Sequence, residues 1–587
     1  MPITTASPSL RPAPEDLLDS PTDHPEGEPP PSSRHQARRQ KKVRARTRLG
    51  LVAALVICAG VPTGILISLW SNLTLPFWYN EQWRAYYISN QGNWWQALKS
   101  DGAPFPAGWY FLERLSGSLF GSTELALRIP TAVFLPITCV LLLLLARRWL
   151  PLGAAVVVAL VGSLTGTLVS YAVQLSEYQI DAAAVVGVLL LHELIEDIER
   201  PTWRTGRLYA MYAGIALACV LSTPAVFVAG PLLLFDAVRD LWRRKIGPRL
   251  LASVVTGVVA LVHLVAFVLP QSALTKEPYW DAQFLPHHGF GHQVSFVWDG
   301  LNGFVTGTFT SSLQVALPGG LVASRWSWVV SVSFGVLLLL GIVAVARSRR
   351  GRQMLLALGS SLLLSLIASY FRHWPFGFVR TNYWLIPPLI LLAGVGAHRS
   401  IRWCWATIRR SGPSWVAARR AAGGAVGVAL VALVVGGLVV VSLYEVGAYR
   451  QIRAATTAPA YGARIGDAVA AVRSHARPGA AVVVSGRMAI QGWEYYQYEY
   501  AGKATDTGRQ IATSHVDFVQ KAGSSVIHRT MERLNPPQVF VYIPFGTSGK
   551  ELQADVAQVT KGRTCTQTGS AGLGSSGLLI TLSCSKP

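Results

Sequence analysis

The chain has 587 residues, of which 51% are hydrophobic and 14% are charged, and its mean hydropathy is +0.36. About a quarter of the residues in a soluble globular protein are charged, so this composition excludes an ordinary soluble domain. The net charge of +22 would suggest nucleic-acid binding in a soluble protein. Here the basic residues stand in short clusters between apolar runs, a pattern typical of membrane orientation, so we expect no nucleic-acid partner.

Residues 1–48 form a polar N-terminal tail. Residues 1–33 are rich in Pro, Ser, Asp and Glu and contain few large apolar residues, which predicts disorder. A basic run from Arg34 to Arg48 then leads into the first apolar span. This run predicts a cytoplasmic anchor that contacts anionic lipid head groups.

About eleven apolar runs between 49 and 443 are long enough to cross a bilayer, which takes about 17–25 helical residues. They are predicted at 49–69, 126–146, 151–172, 182–198, 207–222, 224–238, 250–269, 327–346, 354–371, 383–398 and 421–443. The division of 207–238 into two spans depends on Ser222-Thr223-Pro224, because proline interrupts a helix.

Arginine clusters alternate with these spans. Five inter-span loops that begin at about 147, 199, 239, 347 and 399 carry the arginines and are predicted to be cytoplasmic. The long loops at about 71–125 and 270–325 hold few basic residues and more acids, which predicts that they lie outside. An odd number of spans then places the N-terminus in the cytoplasm and residues 444–587 outside it, in a multi-pass protein of the cell membrane.

The tail, residues 444–587, differs in character from the rest. A helical pattern covers Tyr461 to Ala476. Strand-like runs follow at 480–485, 539–543 and 578–583. Strands that alternate with helices predict a small extracytoplasmic α/β domain. Cys565 and Cys584 lie in it, and either a disulfide or two free thiols would be compatible with that compartment.

The first outer loop, 71–125, combines four acids with many aromatic residues. The acids are Glu81, Asp101, Glu113 and Glu124, and the aromatics include Trp78, Tyr79, Trp83, Tyr86, Tyr87, Trp94, Trp95, Trp109 and Tyr110. An interfacial aromatic belt has this composition. A platform for a lipid-linked or sugar substrate beside a carboxylate has it too, and composition does not separate the two.

Short motifs follow one another in a fixed order. They are Trp78-Tyr79-Asn80-Glu81, Asp101 with Pro104 and Pro106 before Trp109-Tyr110, Phe120 through Pro130, VQLSEYQIDAA with Tyr178 and Asp181, LSTPAVF at 221–227, and FRHWPFGFVRTNYWLIPP at 371–388 with Arg380. In this order they resemble the GT-C superfamily of polyprenyl-phosphate-sugar-dependent glycosyltransferases. The similarity is greatest to the bacterial branch of protein mannosyltransferase-like, aminoarabinose transferase-like and RgtA-type enzymes.

The resemblance implies a polytopic α-helical membrane fold of GT-C type and transfer of a sugar from a polyprenyl phosphate, with inversion. The acceptor would be a glycan, a glycolipid or a protein of the cell envelope, on the outer face. The leading Asp of the family motif is Asn80 here, and the Lys of a later motif is Ser176. Either Glu81 or Asp101 then supplies the catalytic base, or the chain is an inactive scaffold; Glu81 is the preferred candidate.

Such a reaction also needs cations for the donor phosphate and a surface for the substrate. The phosphate-binding candidates are Arg380, Arg372, His373 and Arg84, and the platform candidates are Trp78, Tyr79, Trp83 and Tyr178. Arg84 has two open roles, because it could neutralise Glu81 or contact the phosphate.

Three histidines near Asp281 raise the question of a metal. His287, His288 and His292 could bind a transition metal or belong to a polar re-entrant loop. The resemblance implies no catalytic metal, so we expect neither metal nor cofactor. A transporter or flippase of lipid-linked intermediates is the rival function, and the lack of an internal repeat argues against it.

Overall fold

The structure is a computed structural model and describes residues 31–77, 79–89, 105–198, 201–270, 278–310, 321–410, 449–450, 452–453, 465–484, 491–493, 495–496, 525–543, 549–572 and 577–585. The chain divides into two compact units, Met1–Ala53 and Ala54–Pro587, and the packing below belongs to the second. The predicted span at 421–443 lies outside the described residues, as do residues 1–30.

Helices cover every predicted span that falls within the described ranges. They are α1 (Pro31–Ser68), α2 (Trp70–Leu73), α3 (Tyr79–Ser89), α4 (Ala107–Phe120), α5 (Glu124–Ala146), α6 (Leu152–Ser163), α7 (Gly166–Ala172), α8 (Tyr178–Glu196), α9 (Gly206–Leu221), α10 (Thr223–Trp242), α11 (Pro248–His263), α12 (Phe290–Thr310), α13 (Leu321–Ala346), α14 (Arg349–Tyr370) and α15 (Ile386–Arg410). A π-helical turn, Leu264–Val268, extends α11, and 3-10 helices cover Pro278–Gln283 and Arg380–Leu385. The protein is therefore a polytopic helical membrane protein.

The number of spans stays a prediction. Within the described ranges, six helices are long and apolar enough to cross a membrane, and a bent pair adds a seventh. That pair is α6 and α7, which meet at an angle of 61°. Thr165 caps α7 by accepting a hydrogen bond from the Leu168 amide at 3.4 Å, so the bend ends in a properly started helix.

The predicted break at Ser222-Thr223-Pro224 is confirmed. Helix α9 ends at Leu221 and α10 begins at Thr223. The Ser222 hydroxyl accepts a hydrogen bond from the Ala225 amide at 3.2 Å, and Pro224 stands in the first turn, where its missing N–H costs nothing.

The outer-loop helix α4 lies very close to the end of α9. A Cβ atom added at Gly108 would come within 2.9 Å of the Val220 carbonyl oxygen. Glycine at this position therefore allows α4 to pack against the backbone near the helix break.

The tail contains the predicted α/β structure. Its elements are α16 (Ile465–His475), β1 (Ala481–Val484), α17 (Ser525–Leu534), β2 (Gln538–Ile543), α18 (Gly549–Thr560), β3 (Thr564–Gly572) and β4 (Leu578–Ser585). The strand order is β1-β2-β4-β3, with β1 parallel to β2 and the other pairs antiparallel. The three predicted strands are present, whereas β3 was not predicted, because its sequence TCTQTGSAG lacks alternating apolar residues.

A disulfide joins the edge strand β3 to its neighbour β4. Cys565 on β3 and Cys584 on β4 are direct register partners and form the bond. The disulfide alternative of the sequence analysis is therefore the one that the structure adopts. It fixes the polar edge strand to a neighbour that faces the apolar core of the tail.

We expect the disulfide to appear in a count of reactive thiols. The chain has six cysteines, and two of them are joined, so denatured protein should bind four maleimide groups before reduction and six after it. Gel shifts with a polymer-linked maleimide would measure this. The double variant Cys565→Ser/Cys584→Ser is the control and should bind four in both states. Six labels on unreduced wild-type protein would contradict the disulfide.

Candidate functional site

The candidate site contains a buried ion pair between α3 and α5. Glu81 and Arg128 are each 2% exposed. Arg128 Nε donates to Glu81 Oε1 at 2.9 Å, and Arg128 Nη2 donates to Oε2 at 2.6 Å. The Leu175 amide also donates to Oε1 at 2.5 Å. Both oxygens of the carboxylate are therefore occupied, and the ion pair reaches the segment before α8.

Arg128 also binds the end of α2. Its Nη1 atom donates to the carbonyl oxygens of Asn72, Leu73 and Leu75 at 3.2, 3.1 and 2.5 Å. Carbonyls at the C-terminal end of a helix have no hydrogen-bond donor within the helix. The Arg128 guanidinium supplies the missing N–H donors. Arg128 is not one of the predicted site residues, although it belongs to the motif from Phe120 through Pro130 on which the family resemblance partly rests.

This environment favours a positioning role for Glu81 over the predicted role as catalytic base. A base must be within reach of the acceptor hydroxyl and must take up its proton without losing the contacts that hold the carboxylate. Glu81 uses its oxygens for a bidentate arginine and a backbone amide, all in a buried position. Asp101, the other candidate base, lies outside the described residues.

Arg84 forms an ion pair with Glu177, and its guanidinium also reaches the Tyr178 hydroxyl. Its Nε donates to Glu177 Oε2 at 3.2 Å, and its Nη2 donates to Oε1 at 3.0 Å and to the Tyr178 hydroxyl at 3.5 Å. Burial is the largest single effect and lowers the pKa of Arg84, but the charges and hydrogen bonds of Glu177 and Tyr178 together raise this pKa above its usual value. Arg84 therefore stays charged beside Tyr178.

Three tyrosines, Tyr171, Tyr178 and Tyr383, form a cluster next to this pair. The Tyr171 ring centroid lies 5.0 Å from that of Tyr178 and 5.5 Å from that of Tyr383. Arg380 is half-buried and lies close enough to act electrostatically on all three hydroxyls. The structure thus brings together Arg380, Tyr178 and Arg84, three of the predicted site residues.

Arg372 and His373 lie in the turn after α14. Arg372 has a left-handed backbone conformation, with φ of 58°, and its guanidinium pairs with Asp281 of the second outer loop. His373 is exposed. The backbone of this turn is tied to the same loop, since the Phe376 amide donates to the Gln283 carbonyl at 3.0 Å.

The aromatic residues of the first outer loop form a core with the tail. Trp83 is 6% exposed and stacks on Phe105 with ring centroids 5.1 Å apart. The same cluster contains Trp493, Tyr496 and other residues of the tail. Packing therefore accounts for Trp83. Trp78 and the side chain of Tyr79, the other predicted platform residues of this loop, lie outside what the structure describes.

Hydrogen bonds fix the tail to this loop. The Tyr496 hydroxyl accepts from the Phe77 amide at 2.6 Å, and Gln491 Nε2 donates to the Tyr87 hydroxyl at 2.8 Å. Burial raises the pKa of the Tyr496 hydroxyl well above its usual range, so the hydroxyl stays neutral. The tail thus covers the loop that precedes and includes α3.

The described residues contain one group with the spacing of metal ligands, at the other end of α8. His192, Glu196 and Asp236 have ligand atoms within 4.8 Å of one another. Arg239 lies between the two acids, at 2.9 Å from Glu196 Oε1 and 2.9 Å from Asp236 Oδ1. Arg249 adds a contact of 3.3 Å to Glu196. Guanidinium groups already neutralise these carboxylates, so the geometry is that of an ion-pair network.

The three histidines of the second outer loop do not form such a group. His287, His288 and His292 are all exposed. The His287 ring packs edge-on against Tyr370 at 5.0 Å.

Comparison with known proteins identifies a matching family. Residues 104–269 match the model of the dolichyl-phosphate-mannose-protein mannosyltransferase family. This region holds α4 to α11 and includes Arg128, Glu177 and Tyr178. The match covers less than half of the chain, and it confirms the predicted resemblance and the predicted enzyme class, a glycosyltransferase. Curated protein sequences give no significant match.

Solved structures that match the chain include two of ArnT from Cupriavidus metallidurans. The apo form is 15% identical, with 92% of this chain and 98% of that chain covered and a TM-score of 0.49. The form bound to undecaprenyl phosphate is 17% identical, with the same coverage and a TM-score of 0.48. Archaeal oligosaccharyltransferase AglB from Archaeoglobus fulgidus, in complex with an inhibitory peptide and a dolichol-phosphate, is 14% identical, with 86% and 71% covered and a TM-score of 0.46.

We expect Glu81→Gln to destabilise the protein strongly. The change leaves the Arg128 guanidinium buried without its charge partner, which costs about 3–5 kcal/mol. Thermal unfolding of the detergent-solubilised protein should show a clearly lower midpoint. Glu532→Gln is the matched control, because the Glu532 side chain is 61% exposed, and it should change stability by less than about 0.5 kcal/mol. Equal midpoints for wild type and Glu81→Gln would rule out the structural role of the pair.

Proposed function

We propose that this glycosyltransferase moves a sugar from a polyprenyl phosphate to a cell-envelope acceptor on the outer face of the membrane. The observation that carries the proposal is the meeting of Arg380 with Tyr171, Tyr178 and Tyr383 at the ends of separate membrane helices. The family match over 104–269 supports the same chemistry, because it includes the segment that supplies two of the tyrosines.

Arg380 and the tyrosine cluster suit a phosphate group. A guanidinium binds two phosphate oxygens at once, and phenolic hydroxyls donate to a third. Arg84 adds positive charge beside Tyr178 but shares it with Glu177. Arg380 is therefore the main phosphate-binding residue that we propose, and Arg84 orients Tyr178. Arg372 and His373 are weaker candidates, since Arg372 already pairs with Asp281.

The proposed reaction needs a base and a stabilised leaving group. The acceptor hydroxyl attacks the anomeric carbon as its proton passes to a carboxylate. The bond between that carbon and the phosphate oxygen breaks, and the electron pair leaves with the polyprenyl phosphate. Arg380 stabilises the charge that develops on this phosphate. Attack from the side opposite the leaving group inverts the anomeric configuration.

We propose Asp101 as the base and assign Glu81 to positioning. Glu81 is held by Arg128 and by the Leu175 amide, and a proton on Glu81 would weaken those contacts. Asp101 belongs to the same outer loop and to the motif that leads into α4. Glu81 then acts indirectly, because it fixes the segment that carries Glu177 and Tyr178.

The orientation of the protein is part of the proposal. The arginine-rich loops lie on one side of the predicted spans and the two long loops on the other, so the positive-inside rule places the N-terminus in the cytoplasm. The tail, residues 444–587, and the tyrosine cluster would then share the outer side. A lipid-linked donor would be consumed there.

We expect Asp101→Asn to lower turnover by roughly 10²–10⁴-fold, the usual contribution of a general base. Donor binding and the unfolding midpoint should stay as in wild type. The assay is transfer of labelled sugar from a polyprenyl-phosphate donor by purified protein. Asp299→Asn is the control, because Asp299 is an exposed acid of the second outer loop. Full activity in Asp101→Asn would exclude Asp101 as the base.

We expect Arg380→Ala to raise the donor KM by roughly tenfold to a hundredfold, because a charge-assisted contact contributes about 1.5–3 kcal/mol. Arg372→Ala should raise it much less, since the guanidinium of Arg372 is engaged by Asp281. Initial rates over a range of donor concentrations would measure both variants. A fall in kcat with donor binding unchanged in Arg380→Ala would count against its phosphate role.

A further inference from the structure

Glu113 is a buried carboxylic acid that the proposed reaction does not use. It stands in the middle of α4 and is fully buried, with 0% exposure. Among the described residues, no arginine, lysine or histidine forms an ion pair with it. An unpaired carboxylate in such a place would be very costly, so the acid must be neutral or have a strong hydrogen-bond environment.

The contacts of Thr131 decide between these two states. Thr131 Oγ1 lies 3.2 Å from Glu113 Oε1 and 3.0 Å from the Ser176 carbonyl oxygen. A hydroxyl has one hydrogen, and the Ser176 carbonyl can only accept it. With an ionised Glu113 the single hydroxyl hydrogen of Thr131 would be shared between two acceptors, whereas a protonated Glu113 that donates to Thr131 makes both contacts full two-centre hydrogen bonds. The protonated acid therefore begins a chain that runs from Glu113 through Thr131 to Ser176.

The surroundings of Glu113 agree with a neutral acid. Burial raises the pKa of the Glu113 carboxyl well above its usual range. The Trp109 indole nitrogen lies close to the carboxyl but outside hydrogen-bond geometry. The effect of the indole on the pKa of Glu113 is smaller than the opposite effect of burial.

The chain ends where the proposed phosphate site begins. Ser176 precedes Glu177, which pairs with Arg84, and Tyr178, which belongs to the tyrosine cluster. The Leu175 amide on the other side is held by Glu81. The segment 175–178 is thus fixed by side chains from α3, α4 and α5, and the contact from α4 passes through Thr131.

We infer that Glu113 is a positioning residue whose protonated carboxyl group, acting through Thr131, holds the Ser176 carbonyl and thereby aims Glu177 and Tyr178 at the donor phosphate. Only the identity of the bound group, the donor phosphate, rests on the proposed function. The hydrogen-bond chain itself belongs to the fold. Neither Glu113 nor Thr131 touches the reacting atoms.

Four variants test this chain. Glu113→Gln keeps a donor, because the amide N–H can bind Thr131, and it should retain turnover within about threefold of wild type, whereas Glu113→Ala should lose roughly tenfold to a hundredfold. Thr131→Val removes the hydroxyl without changing the shape and should lose as much, and Thr131→Ser should restore activity. The double variant Glu113→Gln/Thr131→Val should have the same turnover as Thr131→Val. Both changes act on the same hydrogen-bond chain, which Thr131→Val already interrupts, so Glu113→Gln has no further effect.

Two results would overturn the inference. One is a Glu113→Gln variant that folds, with a wild-type unfolding midpoint, but is as inactive as Glu113→Ala; this would indicate an ionised or proton-transferring acid. The other is a Thr131→Val variant with wild-type turnover. The Thr131 variants keep the test decisive even if Glu113→Ala does not fold.

A measurement independent of activity separates this inference from the proposed function. The infrared difference spectrum of wild type minus Glu113→Gln should contain the carbonyl band of a neutral carboxylic acid, with its usual shift in heavy water. If that band appears but no sugar is transferred by wild type, the proposed function fails and the hydrogen-bond chain stands. Carboxylate bands in its place would refute the chain.

Discussion

The contact on which the candidate site depends is the ion pair of Glu81 with Arg128. Removing two charges from water costs several kcal/mol for each, and good geometry together with further hydrogen bonds must offset that cost. Arg128 fulfils both conditions, because it binds the carboxylate through two nitrogens and three backbone carbonyls through another. One side chain thus connects the end of α2 with α3 and α5.

Helix α3 presents a second pair on the same face. Glu81 and Arg84 are three residues apart, so they lie about one helical turn from each other and face the same neighbour. That neighbour is the segment 175–178, whose amide at Leu175 binds Glu81 and whose acid at Glu177 binds Arg84. The carboxylate of Glu81 thus accepts from an N–H of the segment, and the guanidinium of Arg84 donates to a carboxylate of the same segment. These polar contacts specify the register between α3 and this segment. The position of Tyr178, the residue after Glu177, is fixed by that register.

The sequence predicts the local features of this fold and misses the long-range ones. The break at Ser222-Thr223-Pro224 and the strand at 539–543 could be predicted because proline chemistry and apolar runs act over a few residues. The pairs Glu81–Arg128 and Arg84–Glu177 join residues 47 and 93 positions apart, and no local rule chooses such partners. The sequence thus identifies Glu81 as a site residue, and its role as base or as positioning residue depends on partners that only the folded chain brings together. The role of the aromatic residues in the first outer loop is likewise ambiguous in the sequence, because the tail residues that share their core lie several hundred positions further along the chain.

The shared core has a consequence for how the protein is made. Trp83 and Phe105 belong to the first quarter of the chain, yet the cluster that buries them includes Phe540 and Leu579, which are synthesised near the end. Contacts so distant in sequence form late, and apolar surface that waits for a partner is prone to aggregation or proteolysis. The early aromatic residues must therefore be shielded during biosynthesis, by the bilayer interface or by a chaperone, until the last strand has been synthesised.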